Sequence, residues 1–572
     1  METTHSSEGP TEPAATAANA GREEASLLWP SGWTPDATTR RAAVSDDCAA
    51  DLELDCLIDS LCLAPFSRPF VKEILLDPCT DERVIAHRHA VLEDILSSSE
   101  LARRLEALLP KIDALHRHHL PREKGELLHE IAWRLGELEI FMHCVQELAS
   151  LLDSTLSSLR SEGFHAIRQR VSRLLRDETV QHLFQELPGM LSQVRGTRSI
   201  TIGINVDSDF QPSGVTLLSI NADRFDDHSP SFLNRLFGKS MGRGQGKGIT
   251  PLHEIPTGDD ASPLLVPLFR DLSEVVARSL KPVAAALQRF KGVRTLFLDQ
   301  WGQEIAFFLG AAKMIHRLQS AGLPFCRPQV SEMQNDAYEI HDSYNIVLAL
   351  KIAAGEGDRD LSSRIVRNDV ALGAHEVSIL TGPNQGGKTT YMQAVGLVHV
   401  MCQAGLYVPG TCAKLCSVDA IYTHFPAIEQ RELDTGRFAE EVKRLGEMFA
   451  HATPQSLILL NESLTTTSPR ESLELARELV SALQMLGARA VYTTHLYELA
   501  FETDDFNAKT RGVGKVASLV ARFEQKGNDI RFTFKIESGP PAGSSHAREV
   551  ASRYGISYTQ LVEVLRNRGI VT

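Results

Sequence analysis

Thr381-Gly-Pro-Asn-Gln-Gly-Gly-Lys-Thr-Thr390 is the stretch that decides the fold of this 572-residue chain. The apolar run ahead of it, Val377-Ser-Ile-Leu380, has the length and composition of a buried parallel strand. Tyr391-Met-Gln-Ala-Val-Gly-Leu-Val398 follows with the pattern of a helix. Strand, glycine-rich turn and helix form the setting in which a G-x-x-x-x-G-K-[ST] match acts as a phosphate-binding loop. Gly382, Gly386 and Gly387, with Pro383, Asn384 and Gln385 between them, let successive backbone N–H groups turn toward one anion. That anion lies at the positive end of the following helix, which Thr389 and Thr390 open. Lys388 adds a point charge for the β- and γ-phosphates, and the Thr389 hydroxyl is placed to ligate Mg²⁺. The motif implies nucleotide binding.

Further motifs follow in order: Gly405-Leu-Tyr-Val-Pro409, Asp434-Thr-Gly-Arg-Phe438, Leu457-Ile-Leu-Leu-Asn-Glu462, Thr467-Ser468 and Val491-Tyr-Thr-Thr-His-Leu496. Ser456-Leu-Ile-Leu-Leu460 reads as a strand covered on both faces. Glu462 emerges at its C-terminal end, where ligands bind in open α/β sheets. There it either orients the water that attacks a γ-phosphate or serves as a capping or surface glutamate. His495 ends another strand. Arg437 either supplies charge to phosphate, in its own subunit or across a dimer, or is a solvated loop charge.

Taken together and in register, these motifs closely resemble the ATPase of the MutS family of DNA mismatch-repair and recombination proteins. The resemblance implies ATP and Mg²⁺ as ligands. Glu462 and His495 would be catalytic, and Thr389 and Asn461 would hold the metal, the latter through water. It also implies a homodimer in which Gly436 and Arg437 of one subunit close over the other's nucleotide. Two residues depart from the pattern. Asn461 stands where the family carries aspartate, so an amide oxygen remains but the negative charge that a hard dication favours is gone. Binding should then survive better than turnover. After Arg437 the chain runs to Phe438-Ala-Glu-Glu441 in place of small hydroxyl residues, leaving Thr435 as the nearest hydroxyl.

Charged residues at 23% and hydrophobic ones at 43% are those of an ordinary soluble protein. A net charge of −14 argues against a chain-wide polyanion-binding surface. The nine cysteines show no paired C-x-x-C spacing, which favours reduced thiols over a zinc site or a disulfide framework. No apolar run reaches the length of a membrane span and no signal segment opens the chain, so a cytoplasmic protein without membrane contact is expected.

The expected fold class is α plus α/β: an all-helical lever domain with a small β insert, then a phosphate-loop ATPase domain of the ABC type. Residues 1–45 read as a disordered tail. Residues 46–198 read as the first part of the helical core, with Leu128, Ile131, Leu135, Leu138 and Met142 at helical spacing. Leu75-Leu-Asp-Pro-Cys-Thr-Asp-Glu-Arg83 resembles the start of the MutS core domain. His87, His89, His116, His118 and His119 could suggest a metal, but without a carboxylate or cysteine at fitting spacing they read as solvated helix faces. Residues 199–262 form a reduced clamp-like insert, with a β-hairpin over Ser199–Val206 and Gly214–Ile220. The glycine-rich loop after the hairpin carries Lys239, Arg243 and Lys247, either weak contacts to DNA phosphates or charges on a solvated connector. Residues 263–325 return the lever helices. Residues 326–572 form the ATPase domain, opened by β structure at Ala337–Ile340 and Ile346–Leu350 and ended by dimerising helices.

With lever helices expected to begin near residue 50, neither the family's mismatch-reading domain ahead of them nor a nuclease tail after the ATPase is expected. The expected function is ATP-driven binding of duplex or branched DNA in repair or recombination, without mismatch recognition. The alternative is a nucleotide-gated scaffold with negligible turnover and a protein partner.

Overall fold

A computed structural model describes residues 25–33, 44–63, 67–77, 79–120, 127–195, 199–209, 212–221, 280–331, 338–356, 360–426, 437–465, 468–509, 512–526, 529–541, 558–568 and 570. The first part of the chain is helical: α1 (Asp46–Asp51), α2 (Leu54–Leu61), α3 (Arg68–Leu76), α4 (Glu82–Ser97), α5 (Ser99–His119), α6 (Leu127–Ser154), α7 (Glu162–Arg176) and α8 (Glu178–Arg195). A hairpin of β1 (Ser199–Val206) and β2 (Pro212–Asn221) follows, then α9 (Lys281–Arg289) and α10 (Phe297–Ser320). Short strands β3 (Phe325–Cys326), β4 (Gln329–Ser331) and β5 (Glu339–Ser343) lead to α11 (Ile346–Glu356), β6 (Asn368–Ala371) and β7 (Glu376–Thr381). Next come α12 (Lys388–Gln403), β8 (Val408–Pro409), β9 (Cys412–Cys416), β10 (Ile421–His424), α13 (Arg437–His451) and β11 (Leu457–Asn461). The chain continues through α14 (Pro469–Leu486), β12 (Arg489–Thr493), α15 (Tyr497–Phe501), α16 (Thr503–Lys509), β13 (Lys515–Lys526), β14 (Asp529–Ser538) and α17 (Tyr558–Asn567).

The protein is a mixture of helix and sheet with parallel strands. It divides into two compact units, one of residues 1–109, 152–168 and 301–572, the other of residues 110–151 and 169–300. In the first unit a six-stranded sheet has the order β10-β11-β12-β7-β13-β14. Every neighbouring pair is parallel except β13 and β14. All five residues of β11 are buried, as its continuous apolar run requires of a strand covered on both faces. Ile458, Leu460, Tyr492 and Val377 on the sheet pack against Val480 and Leu483 of α14 and Leu445 and Met448 of α13. Local signals set the covering helices. Ser468 caps α14 by accepting from Glu471 N–H while donating to the Glu471 carboxylate at 2.7 Å, and Gly487 closes the helix at φ +73°.

Several sequence expectations change here. Residues 25–33, placed in a disordered tail, are packed: Leu27 and Leu28 are buried, and the buried Glu304 carboxylate accepts from Ser26 Oγ at 2.7 Å and from Leu27 N–H at 2.6 Å. A buried charge needs such partners, and this short segment supplies them. Ile346–Leu350, expected to be β structure, opens the helix Ile346–Glu356, where the Asn345 side chain accepts the Leu348 N–H at 2.9 Å. An apolar run of that length does not by itself separate helix from strand. The first helices of the segment read as lever pack on the sheet's surroundings: Asp51 of α1 accepts from Thr423 Oγ1 of β10 at 2.7 Å, and Gln393 Nε2 of α12 donates to Asp51 O at 2.8 Å.

The histidines are not solvated faces. His87 and His89 are buried against Ser26 O and Leu406 O, both at 3.3 Å. In the second unit His119 lies 2.6 Å from Asp299 Oδ2 and 2.9 Å from Thr295 Oγ1, while Arg134 donates to Glu137 at 2.6 Å. Burial lowers the affinity of His119 for a proton, but the Asp299 and Glu137 carboxylates outweigh it and hold the pKa at about 9. Because the folded value lies above the unfolded one, this pair stabilises the protein fully below about 6.5, and the contribution is lost as pH rises through about 9. Asp299→Asn is expected to lower the melting temperature clearly at pH 6 and far less at pH 10, a loss of about 1–2 kcal/mol at the lower pH, because Glu137 still faces His119. Thermal melts at both pH values check this. An equal loss at the two would show that the charge of His119 is not involved.

The β1–β2 hairpin pairs antiparallel over nearly the range read from its alternation, with Ile200 opposite Ile220 and Ile204 opposite Val215. Lys239, Arg243 and Lys247 lie outside the described residues, as do Thr435 and Gly436. The side chain of Arg437, which opens α13, is also outside them.

Candidate nucleotide site

Register builds the site. Leu380 of β7 stands beside Thr493 of β12, which stands beside Asn461 of β11, so three neighbouring strands end at one level. The Glu462 N–H donates to Thr493 O at 2.8 Å and the Thr494 N–H to Leu380 O at 3.1 Å, locking the three exits together. From this edge β7 turns through Gly382–Gly387 into α12.

The turn needs its glycines. Gly382 has φ +145° and a Cβ there would meet the Ala521 methyl at 2.6 Å; Gly387 has φ +88°. Gln385 takes a left-handed φ of +66° without being glycine. Gly387 is the N-cap of α12, so no side chain takes the first-turn N–H groups, and no acidic residue stands in that turn. A 16-residue helix thus presents uncapped donors at its positive end, the arrangement that holds phosphate.

Lys388 is buried, and its ammonium donates to Gly382 O at 3.0 Å and Pro383 O at 3.2 Å. Burial lowers its pKa, and the nearby Glu462 carboxylate opposes that shift. The Thr389 hydroxyl donates to Asn461 Oδ1 at 3.2 Å, and the Thr493 hydroxyl donates to the same oxygen at 2.6 Å. Oxygen donors of this kind suit a hard dication, with the amide oxygen in the role a carboxylate would otherwise take. Glu462 Oε1 lies 2.6 Å from His495 Nε2. That hydrogen bond lowers the Glu462 pKa, burial opposes the shift, and Lys388 adds to it, so the side chain is a carboxylate near neutral pH.

Gln385, Gly387, Lys388, Thr389 and Glu462 line one cleft of about 360 Å³, together with Asn384, Gly386, Thr390, Asn345 and Phe534. Such a volume is in the range of small-molecule sites. Phe534 was not foreseen. It sits at φ +57°, the residue is 44% exposed, and its ring edge is 3.3 Å from where a Gly387 Cβ would be. Asn368 fixes it there, donating to Phe534 O at 3.0 Å and accepting from Ile536 N–H at 2.9 Å. An exposed phenyl face beside a phosphate cradle suits stacking of a planar ring. Only an aromatic on a late strand marks it in the sequence, and that signal is too common to single it out. Thr493 and Asn345 were also missed, although the Thr-Thr pair before His495 placed hydroxyls at a strand end.

A strand–loop–helix turn, a buried lysine and a paired carboxylate meet at one edge of a mostly parallel sheet in a protein of mixed helix and sheet. Comparison with known proteins points to one family. The family description "MutS domain V" matches residues 378–565, and "MutS2 N-terminal domain" matches residues 80–321. "DNA mismatch repair protein MutS" of Acetivibrio thermocellus is 32% identical over 235 residues, covering 41% of this chain and 25% of that protein. The protein of the same name from Brevibacillus brevis is 32% identical over 217 residues (36% and 23%), and that from Lachnoclostridium phytofermentans 34% over 202 residues (34% and 21%). The chain thus matches about a quarter of the length of these curated relatives. It belongs to the MutS family. No helix among the described residues is long and apolar enough to cross a membrane.

Proposed function

We propose that the cleft binds ATP with Mg²⁺ and hydrolyses it, and that a dimer of this chain couples the cycle to DNA in repair or recombination. The observation that carries this reading is the meeting of the uncapped α12 N-terminus, the buried Lys388 and the Glu462–His495 pair at one sheet edge. In this reading Gly382–Thr390 cradle the phosphates and Phe534 stacks on the base. Thr389, and Asn461 through water, would hold Mg²⁺, which would lend positive charge to the phosphate oxygens. Glu462, kept ionised and oriented by His495, takes the proton of the attacking water. Arg437 and the loop ahead of it face the partner's nucleotide, and α17, which has no buried residue, adds contact surface through Leu561 and Val564. Residues 46–198 and 263–325 serve as levers around the insert at 199–262, ahead of the ATPase domain at 326–572. The work is intracellular, in the cytoplasm.

Asn461 gives the second reading, a nucleotide-gated scaffold, its one specific support. If the missing charge limits metal placement, Asn461→Asp is expected to raise kcat about fivefold, the effect of roughly 1 kcal/mol. Steady-state kinetics check this, and an unchanged kcat would show that the charge is not limiting. DNA binding is expected to be weak and indifferent to mismatches, and to fall steeply with salt, because Lys239, Arg243 and Lys247 neutralise at most about three phosphates per subunit. Deleting 238–248 should remove most of it in a salt titration. Undiminished affinity would move the contact elsewhere.

A further inference from the structure

The turn that carries Glu462 is held in an uncommon backbone shape. Glu462 has φ +50° and Leu464 φ +65°, two non-glycine residues in the left-handed region within three positions. Each such residue costs about 1 kcal/mol or more, and persists only where surrounding bonds over-determine it. The bonds are present. Glu462 N–H is tied to Thr493 O, Tyr492 Oη donates to Ser463 O at 2.9 Å, and Ser463 Oγ lies 2.6 Å from His424 Nδ1. The shortest bond made by the turn's backbone comes from outside the sheet: Leu464 N–H donates to Glu441 Oε1 at 2.6 Å.

Glu441 stands one turn into α13, four positions after Arg437, and α13 is itself firmly seated. Leu445 and Met448 pack into the core beside Leu464, and Arg444 donates to Phe425 O at 3.4 Å while lying 3.3 Å from Asp47. Glu441 therefore joins a helix anchored on one side to the turn that sets the direction of Glu462. The sequence offered no role for it. It appeared only as an acid where small hydroxyls were expected.

We propose that Glu441 is a positioning residue for ATP turnover, its Oε1 holding the Leu464 N–H so that Glu462 keeps its place against His495. The inference rests on the ATPase reading of the cleft. It makes the position of the acceptor oxygen decisive, and the charge secondary. Glutamine keeps an acceptor at the same reach; aspartate keeps the charge but falls one methylene short; alanine removes both.

The test compares Glu441→Gln, Glu441→Asp and Glu441→Ala in the full chain, measuring kcat for ATP hydrolysis, ATP affinity by calorimetry and the melting temperature. With the proposal, Glu441→Asp and Glu441→Ala lose at least about tenfold in kcat, as expected when a buried N–H is left without its acceptor. Their ATP affinity stays within about twofold, and Glu441→Gln stays within about threefold of wild type in kcat. If Glu441→Ala fails to fold, the aspartate and glutamine variants still decide. Turnover kept by Glu441→Asp and lost by Glu441→Gln would overturn the proposal in favour of a purely electrostatic role. Wild-type rates in all the folded variants would also overturn it. A wild-type chain that binds ATP without turning it over would overturn the ATPase reading and this inference together, and so separates the two failures.

Discussion

Lys388→Ala is expected to weaken ATP binding at least tenfold, a loss of about 1.4 kcal/mol. The reason lies in where the ammonium sits. It is buried within the loop, where its two partners are the carbonyls of Gly382 and Pro383. Burial weakens the hold of this ammonium on its proton, the nearby Glu462 carboxylate supports the charged form, and its donors are near enough to turn toward a polyphosphate. Alanine removes that charge and also the brace across the loop, so the N–H groups at the head of α12 lose their arrangement as well. Calorimetric titration with ATP and Mg²⁺ measures the effect. Unchanged affinity would place the nucleotide elsewhere.

Glu462→Gln is expected to lower kcat at least about a hundredfold while leaving ATP affinity within about threefold, since a positioned general base contributes roughly 10²–10⁴ in rate. The carboxylate has its direction set by His495 at 2.6 Å and by the strained turn behind it. Glutamine fills the same volume and keeps a hydrogen bond to the imidazole, but it cannot take a proton. The hydrogen bond from His495 lowers the Glu462 pKa, so turnover should persist as pH falls until below the ordinary carboxylate range. A pH–rate profile whose acid limb lies above that range would assign the limb to another group. Equal kcat in wild type and Glu462→Gln would remove Glu462 from the chemistry.

Much of this was legible in the sequence because short motifs carry their own mechanics. The glycines of the loop announce a backbone that must turn sharply, and the apolar run before Asn461 announces a strand buried on both faces. Motif order then brings Glu462 and His495 to one edge, since both end parallel strands. Long-range partners were not legible. Phe534 and Asn368 meet across 166 positions, and Asp51 reaches Thr423 across 372. Nothing local marks either pairing. Ile346–Leu350 was misread because its apolar run lacks a period, and the Asn345 cap of the helix it opens is a single side chain. The histidines were misread for a related reason. Taken alone, His119 in a polar stretch looks solvated, and only the fold brings Asp299 and Glu137 to it.

The central claim is that one cleft both holds and hydrolyses ATP. Steady-state release of phosphate by the full chain, at micromolar protein with ATP and Mg²⁺, tests it most directly. The account predicts turnover that is measurable in the wild type and lost in both Lys388→Ala and Glu462→Gln. Tight ATP binding with no phosphate release, with or without duplex or branched DNA, would contradict it and leave the gated scaffold as the reading that stands.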